Sequence, residues 1–156
     1  MTTVPPADDA VSVRQATPGD LLRVHRIEQV AFPQPWPMPA FENYLEEPGF
    51  LVAEGDSGVV GYVVADAIPN HGTPLGHVKD IAVAPDRRGE GIGRSLLDSA
   101  LETLREGGAG SVKLEVRASN DVAISLYREF DFEHQRTIPN YYGNGEDALV
   151  MVRGLD

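Results

Sequence analysis

The sequence predicts a mixed α/β domain, and three observations carry that expectation. Apolar residues recur with period two in some segments and with helical spacing in others, in the order β-α-α-β-β-β-α-β-α-β-β. A helical segment follows the third long strand and leads into another strand, which implies locally parallel pairing there. Neither an internal repeat nor a linker divides the 156 residues, and that length suits a single core.

Residues 1–10, "MTTVPPADDA", read as a flexible tail. "VSVRQA" (11–16) alternates apolar and polar residues as a half-buried strand does. Thr17 is then a candidate N-cap, Pro18 suits the first helical position, and Leu21, Val24, Ile27 and either Val30 or Ala31 form an apolar stripe. "PQPWPMP" (33–39) contains four prolines, which remove donors and fix φ, so no regular helix is expected across it. A short helix is expected in "AFENYLEE" (40–47). "FLVAEGDSGVVGYVVADAI" (50–68) has two apolar runs around an Asp-Ser-Gly turn, the pattern of a hairpin. "NHGTPLG" (70–76) reads as a loop and "HVKDIAVAP" (77–85) as the third long strand. Ile92, Leu96, Leu97, Ala100, Leu101 and Leu104 keep helical spacing up to a stop at Gly107-Gly108. "SVKLEVR" (111–117) alternates cleanly, "SNDVAISLYREF" (119–130) restarts a helix capped by Ser119 or Asn120, and "ALVMVR" (148–153) is a last strand.

Composition narrows the function classes. Twenty-four acidic residues face 13 basic ones for a net charge of -11, and only Lys79 and Lys113 are lysines. A broad basic face for nucleic acid is therefore not expected. The chain has no cysteine, and without a spaced His/Asp/Glu cluster no metal site is expected either. The N-terminal stretch lacks the basic and apolar regions of a secretory signal, and no apolar run approaches the roughly 20 residues that cross a bilayer. A soluble, cytoplasmic protein without membrane contact is expected. Its acidity fits either a salt-rich cytoplasm or an ordinary acidic protein, because salt screens self-repulsion.

The most informative stretch is "RRGEGIG" (87–93). A strand, a glycine loop and a helix present free N–H groups and a helix dipole to an anion, and Arg87, Arg88 and Arg94 add forked donors. A P-loop would need Gly-Lys-Ser/Thr, which is absent. The dinucleotide fingerprint would need G-x-G-x-x-G directly after the first strand. Here the pattern is G-x-G-x-G in mid-chain, with Glu115 at a suitable distance for a ribose but inside "KLEVR". A helix start with convenient glycines is the plainer alternative.

Arg88-Gly89-Glu90-Gly91-Ile92-Gly93 also matches Q/R-x-x-G-x-G/A, and after "IAVAP" it resembles the pyrophosphate loop of the GNAT N-acetyltransferases. "LEVRASNDVAISLYREFDF" (114–132), "NYYGNGEDALVM" (140–151) and "IEQVAFPQPWPMPAF" (27–41) resemble segments of that superfamily's protein N-terminal acetyltransferases, the RimI-like and archaeal Ard1-type enzymes. The resemblance spans most of residues 12–152. It departs at Asp131, where a glycine is usual, which is expected to change a helix end, and at Pro139 before "NYY". It implies a central mixed, mostly antiparallel sheet with helices on both faces, and one such domain over residues 11–156. It also implies transfer of an acetyl group from acetyl-CoA to an amine.

That reaction needs the cofactor held, the ammonium deprotonated, the oxyanion stabilised and the thiolate protonated. By the resemblance, the backbone amides of Arg88, Gly89, Glu90, Gly91, Ile92, Gly93 and Arg94 hold the pyrophosphate. The main chain at Ile81 and Val83 pairs with the pantetheine arm, and Asn120 contacts its amides or serves as a plain N-cap. Amides near Ile81 and Ala82 are candidates for the oxyanion. Glu115 is the first candidate for the base; its alternative is an exposed strand carboxylate flanked by Lys113 and Arg117. His77 matches the Ard1-type histidine and would share a water with Glu115, or is an ordinary histidine. Tyr127 matches the tyrosine that returns a proton to the thiolate, or packs on the sheet. A phenol of pKa about 10 can reprotonate a thiol of about 8.5.

Phe32, Trp36, Tyr141 and Tyr142 fall in loops, where large apolar residues point to binding or to patching of the core. By the resemblance they form the slot for the acceptor, a peptide or protein N-terminus, either of a ribosomal protein or of nascent chains. A monomer or weak dimer is expected, with ribosome association as its setting. A lysine or small-molecule amine as acceptor, and a CoA-sensing module without transfer, are the alternatives.

Overall fold

The computed structural model describes residues 11–155, and the tail expected over residues 1–10 lies outside them. Its elements are β1 (Ser12–Gln15), α1 (Leu21–Ala31), α2 (Met38–Glu42), β2 (Gly49–Gly55), β3 (Gly58–Ile68), β4 (Leu75–Val83), α3 (Ile92–Glu106), β5 (Ser111–Arg117), α4 (Asp121–Glu129), β6 (Glu133–Ile138) and β7 (Ala148–Gly154). This is the order that the periodicities predict. The strands form one mixed sheet, ordered β1-β2-β3-β4-β5-β7-β6. β1 pairs antiparallel with β2, β5 with β7 and β6 with β7, whereas β4 and β5 run parallel, joined by α3. Contacts within the chain resolve into two compact units, one up to Val64 with Asp80–Ala100, the other Ala65–Lys79 with the chain from Leu101 onward.

In the first unit, Thr17 does start the helical segment. Its N–H and hydroxyl donate to Asp20 Oδ2 at 2.8 and 3.0 Å, across a 3₁₀ turn at Pro18–Asp20. Arg14 clamps the same carboxylate at 2.8 and 3.0 Å, and this ion pair holds Asp20 below the usual carboxylate range. Leu21, Val24 and Ile27 are buried on α1, while Val30 is 67% exposed, so the stripe closes at Ala31. α2 begins earlier than expected, at Met38. Pro39 fits its first turn because N–H groups there have no intrahelical acceptor. α1 packs with Phe41, Phe50, Val52, Tyr62 and Val64 into one core cluster. The opposite face of β3 receives α3: a Cβ on Gly61 would stand 3.1 Å from Leu96 and 3.3 Å from Ile92. Helices therefore flank both faces here.

The second unit is built on β5. Val112, Leu114 and Val116 are buried, and Lys113, Glu115 and Arg117 share the other face. β4 pairs with β5 from Leu75↔Ser111 to Val78↔Leu114. Close packing of α3 requires Gly76, whose Cβ would lie 2.9 Å from Leu104. α3 stops as expected, with Gly108 at φ +96° and Ala109 N–H donating to Leu104 O at 3.0 Å. α4 is capped by Asn120, whose Oδ1 accepts from Ala123 N at 3.2 Å. At its other end Asp131 takes φ +69°, the conformation that glycine supplies most readily. The departure from the family pattern thus preserves the helix end instead of changing it.

Candidate active site

The glycine loop belongs to the first unit. After β4, Ala84 N–H donates to Val60 O at 2.8 Å, and a 3₁₀ turn (Pro85–Arg87) leads to extended Arg88. Gly89 and Gly91 then adopt φ +81° and +82°. No heavy atom lies within 4 Å of where a Cβ would stand on either, so backbone conformation and not crowding requires glycine there. Left-handed residues of this kind make concave runs of N–H groups that bind anions. Here they lead into the first turn of 15-residue α3, which contains Ile92, Gly93 and Arg94. One expectation needs correcting. Arg87 Nε is held by Glu90 at 3.0 and 3.1 Å, so those two charges largely cancel and Arg87 adds less to the loop than the sequence suggests. Arg88 Nε reaches back to Val83 O at 3.4 Å. Ile81, Ala82 and Val83 occupy the end of β4.

The same unit holds a buried polar cluster that sequence reasoning missed. Glu28 is 2% exposed and accepts from Tyr62 Oη on one oxygen and from Trp36 N–H, at 2.9 Å, on the other. Asp80 stands beside them; burial and the Glu28 carboxyl push it well above the usual carboxylate range. Its Oδ2 has no hydrogen-bond partner among the described residues. Burial likewise pushes the Tyr62 phenol up. The available signal was position: Glu28 comes four residues after Val24 and three before Ala31, inside the apolar stripe. Its effect is to pin the proline-rich segment to α1. Phe32, just before that segment, and Trp36, at its middle, are partly buried against the core cluster. The Trp36 ring lies 5.2 Å from Phe41 and 5.8 Å from Tyr44, and with Pro37, Ala40 and Asn43 it lines a surface hollow.

In the second unit His77 and Glu115, 38 residues apart, come together through the β4–β5 register. His77 Nε2 stands 2.7 Å from Glu115 Oε1, in direct hydrogen-bond contact. Both side chains are largely buried, and Lys113 Nζ faces Glu115 Oε2 at 3.5 Å. The His77 hydrogen bond, helped by Lys113, holds the Glu115 carboxyl below the usual carboxylate range against the opposing effect of burial. Glu115 is therefore no solvated strand carboxylate.

Arg117, treated in the sequence only as a flanking charge, organises the segment before β7. Its guanidinium lies 4.0 Å from the Tyr142 ring centroid and donates to Asn144 Oδ1 at 3.2 Å and Glu146 Oε1 at 3.1 Å. Glu146 Oε2 accepts from Ser119 N–H at 2.9 Å, which ties this segment to the start of α4. Tyr141 is 50% exposed and meets Tyr142 edge-on at 5.0 Å. Burial pushes the Tyr142 phenol up to about 12. Asn120 Oδ1 is committed to its cap. Tyr127 is buried on α4, its ring edge-on to Phe132 at 5.8 Å.

Comparison with known proteins identifies the family and the fold. The profile of the acetyltransferase (GNAT) family fits residues 21–132. The chain is 37% identical to an N-alpha-acetyltransferase of Sulfolobus acidocaldarius over 92% of each chain. It is 36% identical to a putative ribosomal protein bS18 alanine N-acetyltransferase of Bacillus subtilis, over 90% of this chain and 93% of that one. The crystal structure of Ard1 from Thermoplasma volcanium superposes with a TM-score of 0.88 at 30% identity, covering 94% of this chain and 99% of the other.

Proposed function

The chain belongs to the acetyltransferase (GNAT) family, and from that premise we propose that it transfers the acetyl group of acetyl-CoA to the α-amino group of a protein or peptide N-terminus. The observation that carries this reading is the His77–Glu115 pair, a carboxylate held ionised on a largely buried strand face. An α-amino group titrates near 7.7–8.0, against about 10.4 for lysine. A modest base therefore suffices for an N-terminus.

In the proposed reaction Glu115 takes a proton from the incoming α-ammonium. The freed amine attacks the thioester carbonyl carbon, forming the C–N bond, and backbone amides near Ile81 and Ala82 receive the oxyanion. Collapse breaks the C–S bond; the nitrogen gives up its second proton to solvent, the thiolate takes a proton from Tyr127, and the phenolate regains one from solvent. The amides of the 88–94 loop hold the pyrophosphate, the main chain at Ile81 and Val83 pairs with the pantetheine arm, and the Nδ2 end of Asn120 serves the same arm. Phe32, Trp36, Tyr141 and Tyr142 receive the acceptor. The Bacillus relative's name places a ribosomal-protein alanine among the acceptors to try first.

The test is to incubate the protein with acetyl-CoA and a panel of N-terminal peptides, N-terminally blocked lysine peptides and polyamines. Free CoA released with α-amine peptides alone is the expected result. Turnover with lysine or polyamine overturns the acceptor, and acetyl-CoA binding without turnover overturns the transferase in favour of a sensor.

A further inference from the structure

Of the thirteen cationic residues in the chain only Lys79 and Lys113 are lysines, and both stand at the His77–Glu115 pair. Lys113 faces the carboxylate; Lys79 faces the imidazole. The sequence leaves open whether His77 or Glu115 is the base, and this second contact bears on the answer. We propose that Lys79 is a positioning residue whose ammonium fixes His77 as the Nε2–H tautomer, making the ring a donor to Glu115 and leaving Glu115 to take the proton from the incoming amine. The inference rests on the reading of His77 and Glu115 as the proton-handling pair of an acetyltransferase.

The argument is one of donors and acceptors. An ammonium has three donors and no acceptor. Lys79 Nζ lies 3.3 Å from His77 Nδ1, so Nδ1 must offer its lone pair. A neutral imidazole carries a single N–H, which then sits on Nε2, 2.7 Å from Glu115 Oε1. Each nitrogen is thereby committed. A proton arriving at Nδ1 would have to displace a cation, whereas Glu115 keeps unused lone pairs on both oxygens. With the opposite tautomer, two lone pairs would face each other across that 2.7 Å gap and the carboxylate would lose its donor. Lysine suits this task because its charge is compact and its three donors turn freely about one stem.

The experiment reads the His77 ring directly, without substrate, by long-range 1H–15N correlation on the whole protein, with a His77→Gln sample for assignment. Wild type is expected to show a bare Nδ1 and a protonated Nε2. In Lys79→Met the ring should lose that selection and show averaged 15N shifts. Its kcat should fall about tenfold, the value of one hydrogen bond to a charged group, with KM for acetyl-CoA unchanged. Lys79→Arg, which keeps a charged donor, should restore both the shifts and kcat. A wild-type proton on Nδ1, or unchanged ring shifts in Lys79→Met, overturns the proposal. The underlying reading fails separately, if Glu115→Gln retains wild-type turnover, because the ring shifts report on Lys79 whether or not the pair is catalytic.

Discussion

Glu115 is ionised because of what its neighbours donate, and two predictions follow at the scale of single residues. Held low by His77 and Lys113, its carboxylate is available at every pH where the enzyme meets an α-ammonium. Glu115→Gln should lower kcat by about 10²- to 10³-fold at pH 6–7, where the acceptor arrives protonated and needs a base. The deficit should shrink above pH 8, where the amine is already free. Acetyl-CoA affinity, measured by calorimetry, should stay near wild type. Asp80 works in the opposite sense. Its folded pKa is raised, so the native state binds a proton that the unfolded chain releases, and stability declines as pH rises from the ordinary carboxyl range, near 4, towards the raised value. Asp80→Asn removes that decline, and its Tm advantage over wild type should widen from pH 5 to pH 8. Of these two sites only the first was legible in the sequence, since Glu115 and His77 sit in recognisable motifs. Glu28, Tyr62 and Asp80 each look unremarkable alone, and their meeting depends on three separate elements. Lys79 and Arg117 were equally visible as residues, but their effects act through partners that only the fold brings near.

Elements were easier to read than sites. The six apolar residues of α3, the Thr17 start and the glycine stop are local patterns, and the structure keeps them because local preference and burial agree. The start of α2 was misjudged because proline was read as a breaker, whereas at a first turn it costs nothing. α4 shows a sequence departure absorbed at small cost. Asp131 holds φ +69° at the point where Phe132 N–H donates back to Tyr127 O at 3.0 Å and Arg153 Nη1 donates to Phe130 O. Asp131→Gly should relieve about 1 kcal/mol of left-handed strain. In a thermal melt that is a rise of roughly 2–4 °C for a domain of this size, with kcat unaltered. An unchanged Tm would mean that the aspartate meets no strain there.

At the scale of the whole molecule the net charge of -11 dominates. Among the described residues no helix is long and apolar enough to cross a membrane. Local ion pairs such as Arg14–Asp20 and Arg117–Glu146 leave a large acidic excess uncompensated. Its self-repulsion falls as the screening length shortens from about 10 Å at 0.1 M salt to about 3 Å at 1 M. Tm should therefore climb steadily across that range of KCl. A flat curve would assign the acidity to solubility alone.

The placing of the two lysines also matters at the bench. With Lys79 at the imidazole and Lys113 at the carboxylate, every side-chain amine in the chain flanks the His77–Glu115 pair. Under the role proposed for that pair, reagents that seek side-chain amines, such as succinimidyl dyes, coupling resins and reductive methylation, would inactivate the protein there. Tethering it through an introduced cysteine, in a chain that has none, would leave that centre untouched.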